Sequence, residues 1–270
     1  NVSAVLAAET DPARQQTGAV KLVLQKNPEK ARIASFEIDN HGSVFTGPWE
    51  GKATGYLHHL GTNYSELSVT ALAAMPLDEQ KSGSISYSMP LFGASGTTAS
   101  LTTSRTHTEP GASLSTLDIK GVSQSYEANI SYPIIRQRDM TLRADAGFEF
   151  KNARTKILGE ELYDDRLRII KAGINFNAVD SWAGYSVADI HYSQGLDIFG
   201  IRDAGSQDLS RQDGKPDFQK ISLLAGRVQA LPGNFELYGI ISGQYAFSPL
   251  LSSEEFGFGG GQIGRGYDSS

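Results

Sequence analysis

Apolar and polar residues alternate with a period of two in this chain, through segment after segment of roughly 10 residues. A backbone that sends successive side chains to opposite faces is a β-strand, so the pattern commits the chain to a sheet with one oily and one polar face. Between Met140 and Phe150 the even positions are Met140, Leu142, Ala144, Ala146, Phe148 and Phe150, while Thr141, Arg143, Asp145, Gly147 and Glu149 fill the odd ones. Tyr126, Ala128, Ile130, Tyr132 and Ile134 stand against Glu127, Asn129 and Ser131 in the same way. Ile170, Ala172, Ile174 and Phe176 stand against Lys171, Gly173, Asn175 and Asn177, and Phe235, Leu237, Ile241, Tyr245 and Phe247 repeat the dyad near the end.

About eleven strands are expected, over 31–40, 48–59, 65–74, 82–91, 98–107, 124–135, 140–152, 166–178, 182–193, 218–231 and 235–247. Their connections alternate as well. Short turns occupy 137–139, 179–181 and 232–233, whereas longer polar, glycine-rich stretches fill 109–121, 153–165, 194–217 and the tail from Ser248. A soluble β-sandwich also alternates, but it places long loops at both ends without regard to strand parity. Strands of about 9–11 residues, short turns on one side, long loops on the other and one apolar face describe a transmembrane barrel. The fold class expected is therefore all-β, an antiparallel transmembrane β-barrel. Glu37, Asp39, Arg143, Asp145, Glu149 and Lys171 fall on the inward face and imply a wet, lumen-facing surface.

Charge and composition narrow the function. Lys and Arg number 24 against 30 Asp and Glu, and no basic run stands out, so nucleic acid is not an expected partner. Cysteine is absent, which excludes disulfides and thiolate zinc sites. No stretch approaches the roughly 20 apolar residues of a membrane helix. The opening residues carry neither an initiator methionine nor a signal peptide, and an odd strand count is foreign to closed bacterial barrels. The chain is accordingly expected to be a piece of a longer protein.

Residues 2–8 and 18–25 are apolar and flank a polar stretch, which reads as a hairpin ahead of a Lys-Asn-Pro linker at Lys26 to Pro28. At the other end, Gly259, Gly261 and Gly264 spell G-x-G-x-x-G. That spacing cradles pyrophosphate only between a strand and a helix, and Arg265-Gly266-Tyr267-Asp268 continues no helix, so a tightly folding loop is the better reading. His58 and His59 are adjacent and would point to opposite faces of a strand, which prevents a shared metal. Glu254 and Glu255 read as solvated loop neighbours. Trp49, Tyr56, Tyr64 and Trp182 lie near strand ends and suit interfacial aromatic girdles. No nucleophile elbow or histidine constellation is present, so no catalytic residue, cofactor or metal is expected and the chain does not read as an enzyme.

The tail resembles the glycine-rich loop with an Arg-Gly-Tyr core in the outer-membrane transporters of two-partner secretion, the haemolysin secretion and activation proteins. Phe36-Glu-Ile-Asp39-Asn40-His-Gly42-Ser43-Val-Phe-Thr46-Gly47 resembles that family's first barrel strand and loop, and Ser131-Tyr132-Pro133-Ile-Ile-Arg136 its mid-barrel Tyr-Pro-x-x-Arg turn. The resemblance implies 16 strands, of which about eleven are here. It implies that residues 1–29 close the second POTRA domain, in the periplasm, and that 30–270 belong to the outer-membrane barrel. It also implies an unfolded exoprotein as partner, passed through the pore without ATP, with outer-membrane lipid and the barrel-assembly machinery as further partners. Gly264, Arg265, Gly266, Tyr267 and Asp268 would form the lumen-loop motif, Arg265 pairing with an acid beyond Ser270. Gly264 stands where the family often has valine. Val20, Leu22 and Leu24 mark a strand that offers an edge to the substrate. An insertase of the same superfamily and a soluble β-rich adhesin domain are the alternatives; the insertase usually carries phenylalanine after Arg-Gly, where this chain has Tyr267.

Overall fold

The computed structural model describes residues 2–8, 20–26 and 31–257, apart from positions 41, 63 and 234. Strands β1 (Val2–Ala8) and β2 (Val20–Lys26) pair antiparallel as a two-stranded sheet, with Val2 opposite Lys26 and Ala8 opposite Val20. The next eleven strands form one antiparallel sheet in strict chain order. They are β3 (Arg32–Asp39), β4 (Trp49–His58), β5 (Glu66–Met75), β6 (Gln80–Leu91), β7 (Thr97–Thr108), β8 (Lys120–Arg136), β9 (Met140–Ile157), β10 (Glu160–Val179), β11 (Gly184–Gly195), β12 (Gln219–Leu231) and β13 (Phe235–Ala246). Edge strands β3 and β13 do not pair with each other, so the sheet is not closed.

Register carries one face across all eleven strands. Phe36 lies opposite Ala53, Ala53 opposite Ala71, Leu101 opposite Ala128, Ala128 opposite Phe148 and Phe148 opposite Ile170. The apolar residues of this face stay open to the surroundings: Leu101 is 63% exposed, Tyr132 54% and Ile241 69%. A soluble sandwich would bury these side chains beneath a second sheet, and no second sheet covers them among the described residues. Ten steps of roughly 3.4 Å from Met140 to Phe150, tilted by 35–45°, give an apolar band roughly 24–28 Å tall, which matches the band of membrane barrels.

The structure departs from the expected strand ends where the strands leave this band. Residues 153–165, expected as a loop, instead extend β9 and β10, with Glu160 opposite Ile157. Leu158 (φ 51°) and Gly159 (φ 85°) close that hairpin in two residues, and positive φ at both matches the twist of the flanking strands. Lys120 opposite Lys156 extends β8 likewise, leaving a short 3₁₀ turn at Ala112–Leu117 in the connection from β7. On the same end the β5–β6 connection spans only 76–79, so loop length follows parity less strictly than the alternation suggests. The Tyr132-to-Arg136 stretch is not a turn. It completes β8 through a bulge at Pro133/Ile135, where a residue without an N–H costs the ladder least, and the turn follows at 137–139. Among the proposed girdle residues, Trp49 shares the apolar face with Met75, while Tyr64 and Trp182 are exposed in turns. Tyr56 does not belong with them: it lies on the polar face, in the alternation of Lys52 and Thr54.

Candidate functional site

Charge collects on the polar face of β8–β12, around an open cleft of about 580 Å³. Glu127 and Glu149 are directly opposed across β8 and β9, an arrangement that repels unless a cation intervenes. Lys171 supplies it: its Nζ donates to Glu127 Oε2 at 2.8 Å and stands 2.8 Å from Glu149 Oε2. Beside this trio, His191 Nδ1 lies 3.5 Å from Asp145 Oδ2. Gly173 makes room for that pair. A Cβ there would overlap the His191 ring and approach Asp145 Oδ2 to 2.8 Å.

Beyond β13 the chain turns back over this face. Residues 252–254 form a 3₁₀ turn that delivers the Glu254 carboxylate between two lysines of distant strands. Lys151 Nζ of β9 lies 2.7 Å from Oε1, and Lys220 Nζ of β12 lies 2.8 Å from Oε2. The same lysines donate to the Ser253 and Glu254 carbonyls at 2.6 and 2.9 Å, and Gln244 Nε2 adds a bond to the latter at 3.1 Å. Burial opposes the charged form of Glu254, yet the two ammonium groups outweigh it and hold the carboxyl below its ordinary range. The expectation of a solvated Glu254 is thus overturned, since only 6% of it is exposed. Glu255 does remain exposed and pairs with Arg211.

An apolar seal stands next to this clamp. Leu167 and Ile169 of β10 fall on the polar face above Lys171, and both are fully buried. They pack with Phe218 and Leu209 from the 196–218 connection and with Leu250 and Leu251 from the returning segment. Gly195 allows the connection to lie this close, because a Cβ would overlap the Pro216 carbonyl oxygen. Polar contacts bind the same three parts. Asp165 accepts from Ser210 N at 2.9 Å and Ser210 Oγ at 2.6 Å, and Ser252 N donates to Ser210 Oγ at 3.0 Å. The β10 extension, the β11–β12 connection and residues 248–257 thus form one folded unit on the polar face.

Of the residues singled out from sequence, Asp145, Glu149 and Lys171 line the cleft together. Arg143 shares their face lower on β9, opposite Asn175, while Glu37 and Asp39 lie on β3 at the far edge of the sheet. Val20, Leu22 and Leu24 alternate along β2, opposite Ala8, Leu6 and Ala4 of β1. Gly264, Arg265, Gly266, Tyr267 and Asp268 lie outside the described residues. Sequence reasoning missed Glu254, Lys151, Lys220 and Asp165. Leu167 and Ile169 held a signal, because two apolar residues in the polar register call for a cover.

Comparison with known proteins bears on this arrangement. The family model described as haemolysin secretion/activation protein ShlB/FhaC/HecB matches residues 18–270. No curated protein matches the chain in sequence. Among solved structures, CdiB from Escherichia coli superposes with a TM-score of 0.82 at 17% identity, over 99% of this chain and 49% of that one. CdiB from Acinetobacter baumannii gives 0.68 at 17% identity, over 99% and 48%. BamA from Haemophilus ducreyi lacking POTRA domains 1–3 gives 0.57 at 11% identity, over 99% and 51%. The chain therefore spans about half the length of the solved proteins it matches, and at these identities the likeness is one of fold.

Proposed function

The chain belongs to the haemolysin secretion/activation protein family, and from that premise we propose that it is part of an outer-membrane transporter passing an unfolded partner exoprotein through its barrel. In this reading the apolar face meets outer-membrane lipid and the polar face is the lumen. The observation that carries it is the return of residues 248–257 onto the polar face, clamped through Glu254 to Lys151 and Lys220. In this reading the glycine-rich stretch that follows also lies in the lumen. Arg265 is then the loop's second anchor, because a guanidinium inside a partly dry lumen requires a carboxylate partner. The open cleft, lined by charges of both signs, suits passage of an extended polypeptide, which needs many weak polar contacts and no tight pocket. Residues 1–29 are the end of a periplasmic POTRA domain, and β2 offers its edge for strand addition by the incoming partner. The barrel-assembly machinery places the whole in the membrane. No catalytic step enters this reading.

Two measurements test it. Heat-modifiable migration of the full-length protein is expected from a membrane barrel, and full solubility without detergent would point to the adhesin reading instead. Arg265→Ala in the full-length protein is expected to abolish release of the secreted partner while membrane insertion is retained. Unchanged secretion would refute the anchoring role of Arg265. The insertase reading rests on the weaker fold likeness, to BamA.

A further inference from the structure

From the outward face of the sheet, just past the apolar band, we infer a docking surface for the phosphorylated headgroup of outer-leaflet glycolipid. The inference rests on the membrane-barrel reading and concerns a surface that reading does not use.

Cross-strand rows locate it. Leu101, Ala128, Phe148 and Ile170 form one apolar row, and Tyr126 and Phe150, with Phe199 beside the Phe150 ring at 5.8 Å, form the next. One row further, Arg105 lies opposite Gln124 and Arg166 opposite Asn152; beyond it come Arg154 and then Lys120 opposite Lys156. Each row climbs two residues, roughly 7 Å along a strand and roughly 5 Å along the membrane normal at 45° tilt. The first basic rows therefore stand about 5–10 Å beyond the last rings. The headgroup layer is roughly 5–8 Å deep on each side, so the Arg105 and Arg166 row lies at phosphate depth, while the Lys120 and Lys156 row stands roughly 15 Å beyond the rings and meets the phosphates through its long, flexible side chains.

The charge there is one-sided in a chain whose net charge is −6. A cleft of about 580 Å³ is lined by six Arg and Lys side chains and one carboxylate, Asp164; Glu161 and Asp118 at its margin pair with Arg154 and Lys120 at 3.2 and 3.0 Å, which leaves Arg105, Lys156 and Arg168 without a carboxylate among the described residues. Asp164 cannot neutralise them, since Arg166 and Arg202 at 2.7 and 2.8 Å and Arg154 at 3.5 Å already share its Oδ2. Its effect is to hold guanidiniums side by side, splayed for a planar, bidentate acceptor. Arg105 and Lys156 are exposed and have no ion-pair partner among the described residues. Arg168 lies over the Phe150 ring at 4.7 Å and joins the basic rows to the aromatic one. The longer connections, 109–119 and 196–218, leave this end of the sheet, and in membrane barrels the long loops face outside. Phosphates that meet both these cations and the apolar rows are those of the outer leaflet.

The test uses the full-length protein in nanodiscs, with Arg105→Gln/Lys156→Gln against the parent. Neither residue is ion-paired, so the fold is expected to survive, and heat-modifiable migration checks it. Bisphosphorylated lipid A is expected to bind the parent and to lose roughly 10–30-fold in affinity in the double variant. Arg105→Lys/Lys156→Arg should restore it, and dephosphorylated lipid A should bind both proteins weakly and equally. Equal binding of bisphosphorylated lipid A by parent and double variant overturns the inference. Binding of inorganic phosphate as tight as that of the lipid overturns it too, because the apolar rows would then contribute nothing. Failure of the parent to insert at all would instead strike the barrel reading.

Discussion

Replacing Glu254 by alanine in the full-length protein is expected to raise the ionic conductance of the reconstituted barrel several-fold without expelling it from the membrane. Among the described residues the carboxylate is the sole acid between Lys151 and Lys220, whose side chains are only 22% and 14% exposed. Removing one partner of a buried ion pair costs about 3–5 kcal/mol, largely because the other charge is left uncompensated. Here two ammonium groups would be left facing each other in a cleft that water reaches, which lowers the cost toward about 2 kcal/mol and turns it against the returning segment alone. The strand ladders do not involve Glu254, so the sheet persists while residues 248–257 lift away. Glu254→Gln keeps the shape and some hydrogen bonds and should fall between parent and alanine variant. Acid should reproduce the effect. Glu254 is held below its ordinary value of 4.5, so its contribution is complete above that value and is lost as pH falls through the lowered one. Conductance of the parent is then flat from neutral pH down to about 4.5 and rises only below it, while that of Glu254→Gln shows no such step. A parent and an alanine variant of equal conductance at pH 7 would show that the clamp does not hold the segment in place.

The strands inside the apolar band were legible in the sequence because each alternates an oily with a polar residue. Legibility ended with the band. Between Asn152 and Arg166 the outward positions turn polar, Asn152, Arg154 and Lys156 replacing the oily residues of the band, so the pattern that marked β9 and β10 changes sense and the charged stretch reads as a loop. The two-residue hairpin at Leu158 and Gly159 was likewise obscured, because its neighbours carry charge on either side. The polar lining by Asp145, Glu149 and Lys171 followed from periodicity alone. The clamp did not, since Lys151, Lys220 and Glu254 belong to separate parts of the chain, and only the register of the two intervening strands brings the two lysines to one acid. Tyr56 illustrates the converse error: closeness to a strand end suggests a girdle, but its even position on β4 turns it to the polar face.

Phe218→Ala is the complementary test, because it attacks the same segment from its apolar side. The ring is fully buried in one cluster with Leu167, Ile169, Leu250 and Leu251. Truncating such a phenylalanine costs about 3–5 kcal/mol, and the loss falls on the small cluster that joins the 196–218 connection to residues 248–257. The strands keep their lipid-facing surface and their ladders, so insertion and heat-modifiability should be unchanged. Local opening should expose Arg202 and Arg211, giving trypsin cleavage in the connection at least ten times faster than in the parent, as about 1.4 kcal/mol per decade requires even if half the cost is recovered by relaxation. The two variants are not independent. Glu254→Ala and Phe218→Ala release one unit, so once either has freed it the other has little left to break, and the double variant should conduct scarcely more than the stronger single one. Strict additivity of the two would mean that the ionic clamp and the apolar seal hold separate elements, and that residues 248–257 do not move as one body.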